Sequence, residues 1–249
     1  MEIRYFKHYS RNLQRDMEFK VYGHAGKPVL YFPCEGGRFY DFENFQMIDH
    51  WAQWIEEGRC TVYSVDSVDR EAYIGQGDCA RRVQKHESWY NYVVGELVPY
   101  IRLLSSERNG YEQGIITFGC SMGAMHAANL FFRRPDLFNG VFAISGIYDS
   151  RMYFGNYMDD TLYQNTPAEY LRNLSDDHYY KRMYNDRRML FVVGQGPWEE
   201  NSLNSARYLE YVLRDRGIHG RFEYWGNDVS HDWYWWFKMV ELYAPGFLY

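Results

Sequence analysis

With 249 residues, 46% of them hydrophobic, the chain can bury one substantial core, and its length fits one large domain better than two small ones. A formal net charge of -6 argues against a nucleic-acid partner, which needs a basic stripe to displace counterions from phosphates. No apolar run approaches the roughly 18 residues of a membrane span, and Met1-Glu2-Ile3-Arg4-Tyr5 starts no signal-peptide core, so the expectation is a soluble, cytoplasmic protein with no membrane contact.

In chain order, β-rich segments at Ile3 to His8 and Met17 to Tyr22 predict an antiparallel start, followed by a short apolar strand from Lys27 to Phe32 that ends at Pro33. Helical spacing from Phe42 through Trp54 stops at Gly58, and Cys60 to Val65 reads as a buried strand. A long helix from about Cys79 to Leu104 follows, with Arg81-Arg82 expected on its solvated face. Next come an apolar strand at Gly114 to Phe118, a helix at Ala124 to Arg134 and a strand at Val141 to Ser145.

After a long interval, Met189 to Val193 predicts another strand, Ala206 to Arg214 a helix, Arg221 to Trp225 the last strand and Trp233 onward a terminal helix. Strand and helix alternate, which specifies a mostly parallel sheet covered by helices on both faces, with ligands bound beyond the C-terminal strand ends. Residues 1–249 therefore read as one α/β domain without linker, repeat or low-complexity tract.

Residues 151–188 break the rhythm. They carry Tyr153, Tyr157, Tyr163, Tyr170, Tyr179, Tyr180 and Tyr184, and a helix start at Thr166-Pro167-Ala168-Glu169 with the pattern of a capping box. A small partial lid and plain structural packing account equally well for such a segment.

The cysteines Cys34, Cys60, Cys79 and Cys120 are far apart and form no Cys-x-x-Cys pair, so reduced buried thiols are expected rather than a zinc site or a disulfide framework. Neither His86-Glu87 nor His126 belongs to a His-Glu-x-x-His pattern, and no metal is expected. Gly75-x-Gly77 and Gly194-x-Gly196 each lack the third glycine of a dinucleotide fingerprint.

The pentapeptide Gly119-Cys120-Ser121-Met122-Gly123 lies between a predicted strand and a predicted helix, the context of a nucleophile elbow. Ser121 there would stand on a strained turn at the top of the sheet. A serine hydroxyl needs a histidine to take its proton, and that imidazole needs a carboxylate to hold its tautomer and stabilise its charge. Both partners belong at later strand ends. His231, in the loop Gly226 to His231 after the last strand, is the candidate base. For the acid, Glu199 in the loop after Val193 comes first, adjacent Glu200 second, and Asp149 beyond the preceding strand third.

A tetrahedral intermediate also needs two N–H donors aimed at its oxyanion. Met122 supplies one at a helix N-terminus. The loop Pro33-Cys34-Glu35-Gly36-Gly37-Arg38 supplies the other, with Gly36 or Glu35 as donor.

Taken together, these stretches resemble the esterase D group of α/β-hydrolases, which includes S-formylglutathione hydrolases, feruloyl esterases and mycolyltransferases. Gly119 to Gly123 matches the elbow. Gln195-Gly196-Pro197-Trp198-Glu199 is similar to the group's Gln-Gly-x-x-Asp acid loop, and Ser230-His231-Asp232-Trp233 with Trp236 is similar to its His-x-Trp-x-x-Trp ending. The chain departs from the group in having glutamate for aspartate and Cys34-Glu35-Gly36-Gly37 for the His-Gly form of the oxyanion loop. The resemblance implies an α/β-hydrolase fold, a small-molecule ester substrate and no cofactor.

The resulting expectation is a carboxylic ester hydrolase in which Ser121 attacks, His231 relays the proton, Glu199 orients His231, and the Met122 and Gly36 amides bind the oxyanion. An acyltransferase using the same serine, and a catalytically silent binding module of the same fold, are the rival readings. Homo-oligomerisation is left open.

Overall fold

Fully apolar strand segments must be covered on both faces, and the chain meets that demand with a single eight-stranded sheet between two helical layers. The computed structural model describes residues 1–248. It begins with β1 (Ile3–Ser10), β2 (Arg15–Tyr22), β3 (Lys27–Phe32), α1 (Asp41–Asn44), α2 (Met47–Glu56) and β4 (Cys60–Val65). Then follow α3 (Cys79–Tyr92), a π-helical turn at Val93–Leu97, α4 (Val98–Asn109), β5 (Ile115–Cys120), α5 (Met122–Arg133) and β6 (Phe138–Ile144). The short helices α6 (Arg151–Phe154), α7 (Asp160–Gln164), α8 (Pro167–Arg172) and α9 (Tyr180–Asn185) precede β7 (Arg188–Val193), α10 (Glu200–Asp215), β8 (Arg221–Tyr224), α11 (Trp233–Tyr243) and α12 (Pro245–Leu248).

Strand order is β1-β2-β4-β3-β5-β6-β7-β8. The β1–β2 hairpin joins β4 antiparallel, and every pairing from β4 to β8 is parallel. From β3 the chain runs outward to β4 and then crosses back to β5 on the other side, so the C-terminal ends of β3 and β5 flank a switch point, where open α/β sheets bind ligands.

The two cores follow from the period-2 alternation of strand side chains. Val29, Tyr31, Val62, Phe118 and Val192 face α2 and α11, where Trp51, Trp236 and Met239 cover them. Leu30, Phe32, Tyr63, Val141 and Phe191 face the other layer, packed under Trp89, Phe131 and Leu209. Each such side chain taken fully out of water contributes about 1.5–3 kcal/mol, which is why β4 and β5, buried at every position, are mostly apolar, with only Thr61, Ser64 and Thr117 polar.

Several predicted elements change at their edges. The helix expected from Phe42 to Trp54 is two helices, because Gln46 adopts a left-handed φ of 62° that no helix interior accommodates; Phe45 at the break stacks on Trp233. The helix from Cys79 runs beyond Leu104 to Asn109 and stops where Gly110 turns left-handed at φ 76°. Arg82 is not on a solvated face: its guanidinium donates to the carbonyls of Ala72, Tyr73 and Tyr153 and lies over the Phe154 ring.

The capping box at Thr166 does not form. Its hydroxyl donates back to the Leu162 carbonyl at 2.8 Å, so α8 starts with no side-chain cap. Helix α10 begins six residues earlier than expected, since its first two turns are mostly polar yet bury Ser202 and Ser205. In residues 151–188, Tyr184 is buried and Tyr153, Tyr157, Tyr170 and Tyr180 pack against the larger core. Arg133 of α5 pairs with both oxygens of Glu87 at 2.8 Å and donates to Asn165, fastening this segment to the helices beneath it.

Candidate active site

Ser121 is the residue between β5 and α5, and its backbone sits at φ 56°, ψ −125°, a conformation few residues with a side chain adopt. The turn is possible because nothing larger than hydrogen fits at its flanks. A Cβ on Gly119 would lie 2.3 Å from the Gly123 carbonyl carbon, and one on Gly123 would lie 2.2 Å from the Phe32 carbonyl oxygen. The close approach of the last contact also places the end of β3 directly against the elbow.

Glu199 follows β7 and His231 follows β8, so all three side chains rise from C-terminal ends of parallel strands. His231 Nε2 is 2.9 Å from Ser121 Oγ, and His231 Nδ1 is 3.0 Å from Glu199 Oε2. A carboxylate accepts only, so the Nδ1 hydrogen points to Glu199 and Nε2 is left with a lone pair for the serine proton. The histidine is partly open, with 22% of its side chain exposed, while Glu199 is fully enclosed.

Two loops bring acid and base together, and the Gly194-x-Gly196 pair serves that purpose. A Cβ on Gly194 would meet the Val229 carbonyl oxygen at 2.2 Å, and Gly196 N–H donates to the same oxygen at 2.9 Å. Pro197 then accepts from the His231 backbone N–H at 3.1 Å. Trp198 takes a left-handed φ of 64° between them, turning Glu199 inward and leaving its own ring 82% exposed.

Of the acid candidates only Glu199 reaches the imidazole. Glu200 is exposed on the first turn of α10. Asp149 is committed elsewhere, accepting from the Arg151 N–H and from Ser205 Oγ, each at 3.1 Å. Adjacent residues at a helix start point in different directions, which separates the two glutamates.

Sequence reasoning missed Ser145. This residue follows β6 at φ 54°; its hydroxyl donates to Glu199 Oε1 and accepts from Trp236 Nε1 at 3.1 Å. The relay Trp236–Ser145–Glu199–His231 holds the carboxylate from behind. A serine directly after an apolar strand and before Gly146 was the available signal. The Ser145→Ala variant loses one hydrogen bond to a buried charge, worth roughly 1.5 kcal/mol, so kcat should fall about tenfold with KM and fold retained. Steady-state kinetics beside a melting curve check this, and an unchanged kcat would remove Ser145 from the relay.

The oxyanion loop requires a correction. Gly36, expected to donate to the intermediate, spends its N–H on Asp69 Oδ2 at 3.2 Å. Gly37 N–H closes a turn onto the Cys34 carbonyl at 2.9 Å, with Gly36 left-handed at φ 63°. The Glu35 N–H, the other donor considered, has no acceptor among the described residues, and the Glu35 side chain is exposed to solvent, which keeps its charge hydrated. Met122 N–H is the first of α5, and no intrahelical carbonyl precedes it.

Cys34, within this loop, donates its thiol hydrogen to the Cys120 carbonyl at 3.4 Å. Burial and the nearby carboxylates of Asp41 and Asp69 push its thiol up, a direction that disfavours the reactive thiolate. Among the described residues no group of three or more His, Cys, Asp or Glu could hold a metal ion, and no helix is long and apolar enough to cross a membrane.

A family model described as "Putative esterase" matches residues 10–240. No curated protein sequence matches the chain significantly. Among solved structures, a ferulic acid esterase is 17% identical with a TM-score of 0.74, over 99% of this chain and 96% of that one. An S-formylglutathione hydrolase from Agrobacterium tumefaciens is 16% identical with a TM-score of 0.73, over 99% and 94% of the two chains. The fluorophosphonate-binding serine hydrolase F of Staphylococcus aureus is 12% identical with a TM-score of 0.71, over 100% and 98%. At these identities the likeness identifies the architecture, the α/β-hydrolase fold.

Proposed function

The chain belongs to the esterase family whose model it matches, a serine hydrolase of carboxylic esters, and from that premise we propose that it works through a Ser121–His231–Glu199 triad and an acyl-enzyme intermediate. The observation that carries the reading is the unbroken hydrogen-bond chain from Ser121 Oγ through the His231 ring to the enclosed Glu199 carboxylate. His231 takes the serine proton as Oγ attacks the ester carbonyl, then delivers it to the departing alcohol; water repeats the sequence to release the acid. Glu199 keeps the imidazole in the tautomer this requires. The Met122 and Glu35 N–H groups receive the oxyanion.

We extend the proposal to the substrate side. Residues 1–249 act as one catalytic domain, with 151–188 as a partial lid. A groove of about 680 Å³ supports this: its lining includes Asp149, Arg151, Met152, Arg172, Asn201 and Tyr208, and so it runs between that segment and the start of α10. Its mixture of charged groups of both signs, amides and an aromatic ring suits a small polar ester better than a long acyl chain.

The test is turnover of a panel of small aryl and alkyl esters with and without alcohol acceptors. Free acid as the dominant product in both conditions is the expected result. A new ester formed at comparable rate would make the chain an acyltransferase, and neither turnover nor labelling by a fluorophosphonate would make it a silent member of the fold.

A further inference from the structure

We propose that Asp69 and His126 form a buried brace that sets the spacing of the two oxyanion donors, which makes Asp69 a positioning residue for catalysis. The inference rests on the Ser121 reading above.

Asp69 lies in the loop after β4 and His126 on α5; each side chain is only 1% exposed. Burying a carboxylate costs several kcal/mol unless it is fully engaged, so an acid at such a position needs partners. Asp69 has two. Oδ2 accepts the Gly36 N–H at 3.2 Å, and Oδ1 lies 2.9 Å from His126 Nε2, which carries the hydrogen because a carboxylate offers none.

These two bonds tie together the elements bearing the two oxyanion donors. Gly36 neighbours Glu35 in the turn after β3, and His126 lies one helical turn beyond Met122 on α5. Neither anchor is loose. The Asp69 carbonyl accepts from the Ala72 and Ile74 N–H groups at 3.0 Å, while the His126 ring is enclosed by Trp89 and His86 at centroid distances of 4.9 and 5.3 Å.

Without the brace, the turn at Cys34–Gly37 retains its own closing bond but loses its tether to α5. Ser67 Oγ and Arg70 Nε still donate to the Gly37 and Gly36 carbonyls, but Gly36, left-handed and lacking a Cβ, then lets the Glu35–Gly36 peptide turn, and with it the adjoining Cys34–Glu35 peptide that carries the donor N–H. Misplacing an oxyanion donor by about 1 Å costs about 10²-fold in rate, and it does so in the transition state rather than in the substrate complex.

The experiment compares Asp69→Ala, Asp69→Asn and His126→Phe with wild type, and includes Val212→Ala on α10 as a variant weakened in the core away from the brace. Readouts are kcat, KM, melting temperature and affinity for a phenylboronic acid, whose tetrahedral serine adduct occupies the oxyanion hole. Asp69→Ala should lose about 10²-fold in kcat and in boronate affinity with KM within about threefold. Asp69→Asn should recover most of the loss, since its amide oxygen still accepts from Gly36. His126→Phe should lose about tenfold, and Val212→Ala should lose melting temperature but not kcat.

A folded Asp69→Ala protein with kcat within threefold of wild type, or with boronate affinity intact while kcat falls, overturns the brace. Should Asp69→Ala not fold, His126→Phe decides by the same readouts. Ser121→Ala treated with a fluorophosphonate in parallel separates the two levels: label on that variant overturns the nucleophile itself, whereas its absence leaves the brace to stand or fall alone.

Discussion

Replacing Ser121 with alanine should abolish labelling by a fluorophosphonate and lower ester turnover by roughly 10⁵- to 10⁶-fold, as expected when a triad member that bonds covalently to substrate is lost. The magnitude follows from the role. Under the proposed mechanism no acyl-enzyme forms without Oγ, and the residual rate then comes only from binding and the oxyanion donors acting on water. Alanine needs no more room than serine on this turn, so the strained φ of 56° is inherited rather than worsened and the melting temperature should stay close to wild type. Mass spectrometry of the intact, inhibitor-treated variant checks the result. A stoichiometric adduct on folded Ser121→Ala would show that another side chain is the nucleophile.

The second large effect concerns the charge behind the base. Glu199→Gln should keep shape and a hydrogen-bonding oxygen but remove the negative charge that stabilises the imidazolium, cutting kcat by about two to four orders of magnitude. The amide nitrogen can also present N–H to Nδ1 and drive the ring into the wrong tautomer, with the hydrogen on Nε2 facing Ser121. His231→Ala should be at least as damaging, because the serine proton then has no acceptor within reach.

Glu200→Gln and Asp149→Asn serve as comparisons, expected to keep kcat within a few-fold of wild type because Glu200 is solvated and Asp149, though it lines the groove, is held by the Arg151 N–H and Ser205 rather than by the imidazole. Kinetics of all four variants beside their melting curves decide the assignment. If Glu199→Gln stayed near wild type while Asp149→Asn collapsed with its fold intact, the acid would have to be reassigned although the serine could stand.

Much of this was legible before any tertiary information. Strands such as Cys60–Val65 are buried at every position and mostly apolar because both faces of a parallel sheet are covered, and that pattern survives in one dimension. The elbow was legible for a related reason. Its glycines are demanded by backbone contacts within a few residues or with the neighbouring strand, so the constraint is written locally as Gly-x-Ser-x-Gly. His231 could be placed because topology puts the last strand's loop at the same edge of the sheet.

Boundaries and long-range partners were less readable. Nothing local marks Gln46 as left-handed, and the split between α1 and α2 matters because it frees Phe45 to stack on Trp233. Thr166 has the composition of a helix cap, yet its hydroxyl finds the preceding turn's carbonyl closer.

By itself, then, the chain's order of residues determined the fold class, the family, the nucleophile candidate and the strand ends where its partners must lie, since each depends on periodicity or on contacts between sequence neighbours. Only the folded structure brought Glu199 rather than Glu200 or Asp149 to the imidazole, committed the Gly36 N–H to Asp69, and brought Ser145 and His126 into the account. Those choices turn on which way a side chain or an N–H points once distant segments meet. A hydrogen bond is decided within a few tenths of an ångström and a few tens of degrees, and residues 54 or 57 positions apart leave no local trace of such an encounter.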